Sequence, residues 1–350
     1  MKVAIVHGSA AVSAALRRIL ETGGGCQVVW TAAAGEEALA LCRSGEPAVV
    51  LVDAALPGAA PADLTRDLLR YGASAVVVLT DPRTPRPDRV FEAMGAGALD
   101  AVPAPAVGAD GRLHGDDELV RKVRNVARVV GAVPGTTAAI ARAPHVAGGR
   151  PEALPPLVAI GASTGGPAAL VAVIGSLPAA FPGAVVAVQH VDAQFSADLA
   201  LWLGGQVALP VHEAGAGHRP AVGKVLLAGG DRDLVLGADL TLRHRRPRDG
   251  SFYHPSVDVF FASLAEHWPD RGVAALLTGI GRDGAEGLLA LRRTGWHTMA
   301  QDEATSVVHG MPRAAAELGA AVEVLPLHEI GPAIARRTLV PTASKRGTRG

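Results

Sequence analysis

The sequence predicts an α/β protein of two modules, each built on a mostly parallel sheet covered by helices. Three features predict it. Runs such as AVVLVD and AVVVLT are apolar on both faces, as strands buried from both sides must be. Helical periodicity returns between such runs. The alternation then lapses in GAVPGTTAAIARAPHVAGGRPEALPP, a stretch rich in Gly, Pro and Ala with no period. The expected organisation is therefore a first module over 1–106, a helix and interdomain linker over 107–152, a second module over 153–339, and a flexible basic tail over 340–350.

In the first module, strands are expected over 2–6, 27–30, 48–53, 75–80 and 99–102. Helices are expected between them over 10–20, 35–42, 62–71 and 88–94. One further helix, LVRKVRNVARVV, is expected within 116–130. The second module opens with the strand LVAIG, a glycine-rich turn and the helix GPAALVAVIGSL. The strand AVVAVQH and the helix FSADLALWLGG follow, then short extended runs joined by glycine turns. The helix PSVDVFFASLAEHW precedes the strand GVAALLTG, the helix AEGLLALRRTG, the strand WHTMAQ, the helix MPRAAAELG and a last strand, AVEVL.

Composition removes several functions. The 350 residues carry 33 Lys and Arg against 33 Asp and Glu, so no bulk charge argues for nucleic acid or an anionic membrane. Aromatic residues make up 3%, too few for a base-stacking platform. No apolar run reaches the ~18 residues that a membrane span requires. The opening apolar segment runs into Arg17 and Arg18 and reads as strand, loop and helix rather than a signal peptide. Cys26 and Cys42 make no zinc pattern. The expectation is a soluble cytoplasmic protein with no membrane insertion, a monomer by default.

Open parallel sheets bind ligands at the carboxyl ends of their strands. Three such ends in the second module carry Ser163, His190 and Asp283, the set that a Ser-His-Asp relay requires. Ser163 lies in GASTGG, where glycines let backbone approach closely and the next helix points its positive end at the turn. Thr164 and Gly165 are candidates for an oxyanion site or cleft wall, and so is the backbone N–H of Ile280. Each residue also has a plainer reading. A glycine-rich turn can cradle a phosphate, His190 can be a strand-end histidine, and Asp283 can cap the helix AEGLLALRR. His212, Glu213 and His218 lack metal-site spacing. Asp302 and Glu303 are candidates for the cleft. His254-Pro255-Ser256 and Met311-Pro312 read as helix starts.

The second module resembles the catalytic domain of the chemotaxis-type protein-glutamate methylesterases, the CheB family. The resemblance runs through IGASTGGPAAL, VAVQH, HPSVD, VFFASLAEHW, LLTGIGRDGAEGLLALRRTG and AQDEATSVVHGMPRAAAELGAA. It implies that Ser163, His190 and Asp283 form the catalytic triad and that Thr164 belongs to the active site. It further implies hydrolysis of glutamate methyl esters on methyl-accepting chemoreceptor-like proteins, release of methanol, deamidation of some receptor glutamines, and no cofactor for catalysis. The chain departs from the family in reading His190-Val191-Asp192 after the catalytic histidine, Ile280 in place of a methionine, and His254 in place of an arginine.

The first module resembles the receiver domain of response regulators, a flavodoxin-like fold of strand order 2-1-3-4-5. Asp53 matches the phosphorylated aspartate and Thr80 the family's hydroxyl. The acidic pair that holds Mg²⁺ is replaced by His7-Gly8, and the lysine beside a proline by Pro103-Ala104-Pro105. These losses leave Mg²⁺ binding in doubt and predict a pseudo-receiver in which Asp53 is inactive. A chemosensory histidine kinase is left open as a second partner. VVWTA, ALC and VFEAMGAGALDAV resemble the surface-sensing, Wsp-type branch more than the flagellar one. Two competing readings stand beside the esterase: a non-catalytic receptor-docking adaptor, and a serine hydrolase or amidase with another substrate.

Overall fold

The computed structural model describes residues 1–23, 25–45, 47–81, 86–107, 113–114, 116–130, 154–247 and 254–339. The chain divides into two compact units, Met1–Pro144 and His145–Gly350. Most of the expected linker and the whole of the expected tail lie outside the described residues.

The first unit is a five-stranded parallel sheet of β1 (Lys2–Val6), β2 (Gln27–Ala32), β3 (Val49–Asp53), β4 (Val76–Thr80) and β5 (Asp100–Pro103). Its order, β2-β1-β3-β4-β5, is the order expected. Helices α1 (Ala10–Thr22), α2 (Gly35–Ser44), α3 (Pro61–Arg70) and α4 (Pro87–Gly95) connect the strands, and α5 (Asp116–Val130) follows them. The central strands β3 and β4 are buried at every position, which explains why they read as unbroken apolar runs. Ser9 starts α1 by accepting the Val12 N–H, while Pro61 begins α3 with its φ already set for a helix. One feature escaped the sequence. β6 (Ala106–Val107) and β7 (Leu113–His114) form a two-stranded antiparallel ladder where a helix and linker alone were expected. Two-residue strands are too short to show a period of two.

The second unit is a seven-stranded sheet, parallel throughout. Its strands are β8 (Leu157–Ala162), β9 (Ala184–Gln189), β10 (Val211–Glu213), β11 (Val225–Leu227), β14 (Val273–Leu276), β15 (His297–Gln301) and β16 (Glu323–Leu325). The remaining two, β12 (Asp233–Leu236) and β13 (Leu242–Arg245), pair as a separate antiparallel hairpin. The sheet order is β10-β11-β9-β8-β14-β15-β16. Winding therefore starts at β8, runs outward through β9, and resumes on the other side of β8 at β14. This reversal makes the topological switch point at which open α/β sheets bind ligands.

Among the described residues, six α-helices cover this sheet: α6 (Gly166–Gly175), α7 (Ser196–Gln206), α8 (Val257–His267), α9 (Ala285–Arg293), α10 (Met311–Glu317) and α11 (Leu327–Leu339). Phe260, Phe261 and Leu264 of α8 share one core with Leu288 and Leu291 of α9 and with Trp296. The sequence pattern predicts no element after the last strand, yet α11 follows it. Gly331 and Pro332 inside that helix are the cause, since both weaken a helical pattern. The structure supplies the reason for the glycine. A Cβ at Gly331 would lie 1.8 Å from Ser176 Oγ, so α11 packs closely against the end of α6 only without one.

Candidate active site

Ser163 leaves the carboxyl end of β8 at the switch point. Its N–H donates to the Thr278 carbonyl at 3.0 Å, and its own carbonyl accepts from the Gly166 N–H at 2.7 Å and from Gln189 Nε2 at 2.8 Å. Three bonds to one residue's backbone fix a tight turn. Gly165 completes it in the left-handed region at φ 77°, where a Cβ would lie 2.7 Å from Val307 Cβ. At Gly166 a Cβ would fall 1.8 Å from Gln189 Oε1. The paired glycines therefore admit Val307 on one side and Gln189 on the other. Helix α6 begins only at Gly166, whose N–H is already committed to Ser163. Ser163 and Thr164 are both buried, and the Thr164 carbonyl accepts from Thr278 Oγ1 at 2.9 Å.

His190 reaches the same place from the neighbouring strand. Ala162 and Gln189 are register partners across β8 and β9, so Ser163 and His190 each follow one member of a paired step. The His190 N–H donates to the Ala162 carbonyl at 3.1 Å. Gln189 holds both strand ends, since its Nε2 also donates to the His190 carbonyl at 2.9 Å.

Asp283 arrives from beyond β14, and its Oδ2 lies 2.8 Å from His190 Nε2. Its surroundings differ from the helix-cap reading of the sequence. Helix α9 has Gly284, at φ 89°, as its N-cap. Asp283 instead caps a different helix, α8, accepting the Val257 N–H at 2.7 Å and the Asp258 N–H at 3.1 Å. Ser256 Oγ donates to Asp283 Oδ1 at 2.8 Å and also accepts the Val259 N–H, so one hydroxyl joins the α8 cap to the carboxylate. Burial raises the Asp283 carboxyl, but the His190 imidazole and the α8 N–H groups outweigh it and hold the group below the usual carboxylate range. It is ionised at neutral pH. With Nε2 engaged by Asp283, the proton-accepting nitrogen of the neutral His190 ring is Nδ1.

The chain is matched by known proteins. Residues 158–334 match the model of the CheB methylesterase domain, and residues 3–110 that of the response regulator receiver domain. The chain belongs to the CheB methylesterase family. A protein of Bordetella avium named protein-glutamate methylesterase/protein-glutamine glutaminase 1 is 44% identical over 98% of this chain and 99% of its own length. A Pseudomonas putida protein, named for the same pair of activities and a group 3 operon, is 43% identical over 94% of this chain and 97% of its own. Among solved structures, the CheB methylesterase catalytic domain of Thermotoga maritima is 34% identical and superposes with a TM-score of 0.51, covering 53% of this chain and all of that one.

Other residues singled out from the sequence are placed as follows in this CheB homologue. Ile280 is half-buried in the turn between Gly279 and Gly281. Asp302 accepts the Thr305 N–H at 3.0 Å and so closes its own turn, while Glu303 is exposed. Glu213 accepts from Ser196 Oγ, and His218 Nδ1 accepts the Gly215 N–H. Among the described residues no three His, Cys, Asp or Glu side chains converge as a metal site. His254 Nδ1 stands 3.6 Å from Asp233 Oδ1. Gln189, Thr278 and Asp258 were not singled out. Only their polarity at the ends of apolar elements marked them.

The residues singled out in the first module are placed as follows. Asp53 ends β3 and is buried, its Oδ1 accepting the Ala55 N–H at 2.8 Å. His7 Nδ1 lies 3.7 Å from Asp53 Oδ2, where the receiver family carries its acidic pair. Thr80 is buried at the end of β4, and its carbonyl accepts the Ala104 N–H at 2.7 Å. An imidazole and a glycine offer no hard carboxylate oxygens to Mg²⁺, so these residues do not fit that ion.

Proposed function

We propose that this chain hydrolyses glutamate γ-methyl esters on the cytoplasmic part of methyl-accepting chemoreceptor-like proteins, through a Ser163–His190–Asp283 relay. The observation that carries the reading is the 2.8 Å contact of His190 with Asp283, beside the Ser163 turn at the switch point. The names of the relatives support the same activity. Ser163 Oγ attacks the ester carbonyl as His190 Nδ1 takes its proton. The imidazolium is stabilised by Asp283 and returns the proton to the departing methoxide, which leaves as methanol. Water then attacks the acyl-enzyme with His190 as base, and glutamate is released. An amide takes the same route with ammonia as leaving group, which accounts for glutamine deamidation. Incubation with a methylated receptor cytoplasmic domain is expected to release methanol, and with its glutamine form ammonia. A folded chain that releases neither from any receptor domain of its own genome overturns this reading and favours the docking adaptor.

Phosphorylation is proposed not to govern the activity, because His7 and Gly8 stand where Mg²⁺ would be held. Acetyl phosphate with Mg²⁺ is expected to add no mass to the peptide holding Asp53 and to leave methanol release unchanged. A labelled Asp53 with faster release contradicts this.

A further inference from the structure

The corner that holds Asp283 contains a second carboxyl that the proposed relay does not use. Asp258 lies in the first turn of α8, and its Oδ1 accepts the Gly287 N–H in the first turn of α9 at 2.7 Å. Asp283, just before α9, accepts the Val257 and Asp258 N–H groups at the start of α8. The two acids thus cap each other's helices. Helix α9 has no side-chain cap of its own at Gly284, and a Cβ there would lie 2.5 Å from Leu276 Cδ1 and 2.7 Å from Val257 Cγ1. Asp258 supplies the missing cap from the neighbouring helix.

We propose that Asp258 is a positioning residue for the Asp283–His190 pair: it fixes the start of α9, and a proton on its carboxyl keeps Asp283 against the His190 ring. The proposal rests on the esterase reading for its effect on turnover, but not for its geometry. Part of Asp258 reaches the surface, yet its carboxyl is largely withdrawn from water. That desolvation, the adjoining Asp283 charge and the nearby Glu286 push it up to about 7, against the pull of the Gly287 N–H. Among the described residues, the titratable groups at this corner are Asp283 and Glu286 from the start of α9, Asp233 from β12, His190 from the end of β9, and His254 before α8. Asp283 already accepts two donors on each oxygen, Ser256 Oγ and the Asp258 N–H on Oδ1, His190 and the Val257 N–H on Oδ2. Protonated, Asp258 keeps its acceptor for Gly287 and sets no charge beside that filled shell. Ionised, it sets a second negative charge beside the first and pushes Asp283 from its partners.

The test compares the full-length native chain with its Asp258→Asn and Asp258→Ala forms. Asparagine mimics the protonated acid, keeping an acceptor for Gly287 and carrying no charge beside Asp283. Carboxyl ¹³C resonances of Asp258 and Asp283 are followed from pH 5 to 9, alongside the rate at which a fluorophosphonate probe labels Ser163. The native chain is expected to show both resonances moving through one shared transition near neutrality. Above it, native labelling is expected to fall about tenfold below that of Asp258→Asn, in which the Asp283 resonance no longer moves. Asp258→Ala, without the α9 cap, is expected to label about tenfold more slowly than Asp258→Asn at every pH. An Asp283 resonance and labelling profile identical in the native and Asp258→Asn chains overturns the proposal. A shared titration in a native chain that never labels Ser163 upholds the coupling and counts against the esterase reading instead.

Discussion

Replacing His190 with alanine is expected to lower kcat for methanol release by about 10⁶-fold, on the scale seen when a relay base is removed. The size of the effect follows from what the imidazole does. In the proposed relay it is the group that accepts the Ser163 proton, and the neighbouring carboxylate Asp283 is already charged and engaged. Fold should survive. His190 follows β9 rather than pairing within it, and its contact with Asp283 is replaced in the carboxylate's shell by three remaining donors. The checks are steady-state methanol release and thermal denaturation on one preparation, with loss of activity at an unchanged Tm as the expected outcome.

Asp283→Asn is the second large effect, and it should reach both activity and stability. Oδ2 of Asp283 accepts from His190 Nε2 at 2.8 Å and from the Val257 N–H at 2.7 Å. An amide nitrogen in that position faces two donors, so one contact is lost in either orientation of the group. With the amide nitrogen toward His190 the imidazole is driven to the wrong tautomer, for which a loss of about 10⁴-fold in kcat is expected. The start of α8 loses a charged cap at its positive end, a cost of about 1–3 kcal/mol. The pH dependence has a definite sign. Because Asp283 is held below its unfolded value, its contribution is present above that value and lost as pH falls through the folded one. Chemical denaturation across pH 3–8 is therefore expected to show a shallower acid limb in Asp283→Asn than in the native chain. An equal acid limb in both contradicts this.

Much of the fold is legible in the sequence because the strands are buried on both sides. AVVLVD and AVVVLT can hardly be anything else, and with right-handed crossovers they fix a receiver-like order. The placement of Ser163, His190 and Asp283 at strand ends is legible for the same reason. Their convergence is not, because it depends on β9 and β14 both lying beside β8, and strand order across a switch point leaves no local trace. Helix α11 was hidden by its own Gly331 and Pro332, which answer to packing against α6 rather than to helix propensity. The role of Asp283 as a cap was visible, but for the wrong helix. Capping of a distant helix start has no spacing rule, and the same is true of Asp258 on Gly287 and of Gln189 on two strand ends.

The relatives define the family, while the proposal about control rests on this chain's own receiver residues. With His7 beside Asp53, the first module keeps the receiver's strand order without the carboxylate pair that brings Mg²⁺ to a phosphoryl group. Activity without any phosphodonor is the outcome expected under the proposal made above.

The most direct test of the relay is methanol release from a methylated receptor cytoplasmic domain by the native chain and by Ser163→Ala, with no phosphodonor present. Release by the native chain and none by the folded Ser163→Ala form is the expected result. Equal release by both would show that the ester is cleaved without Ser163 and would contradict the mechanism.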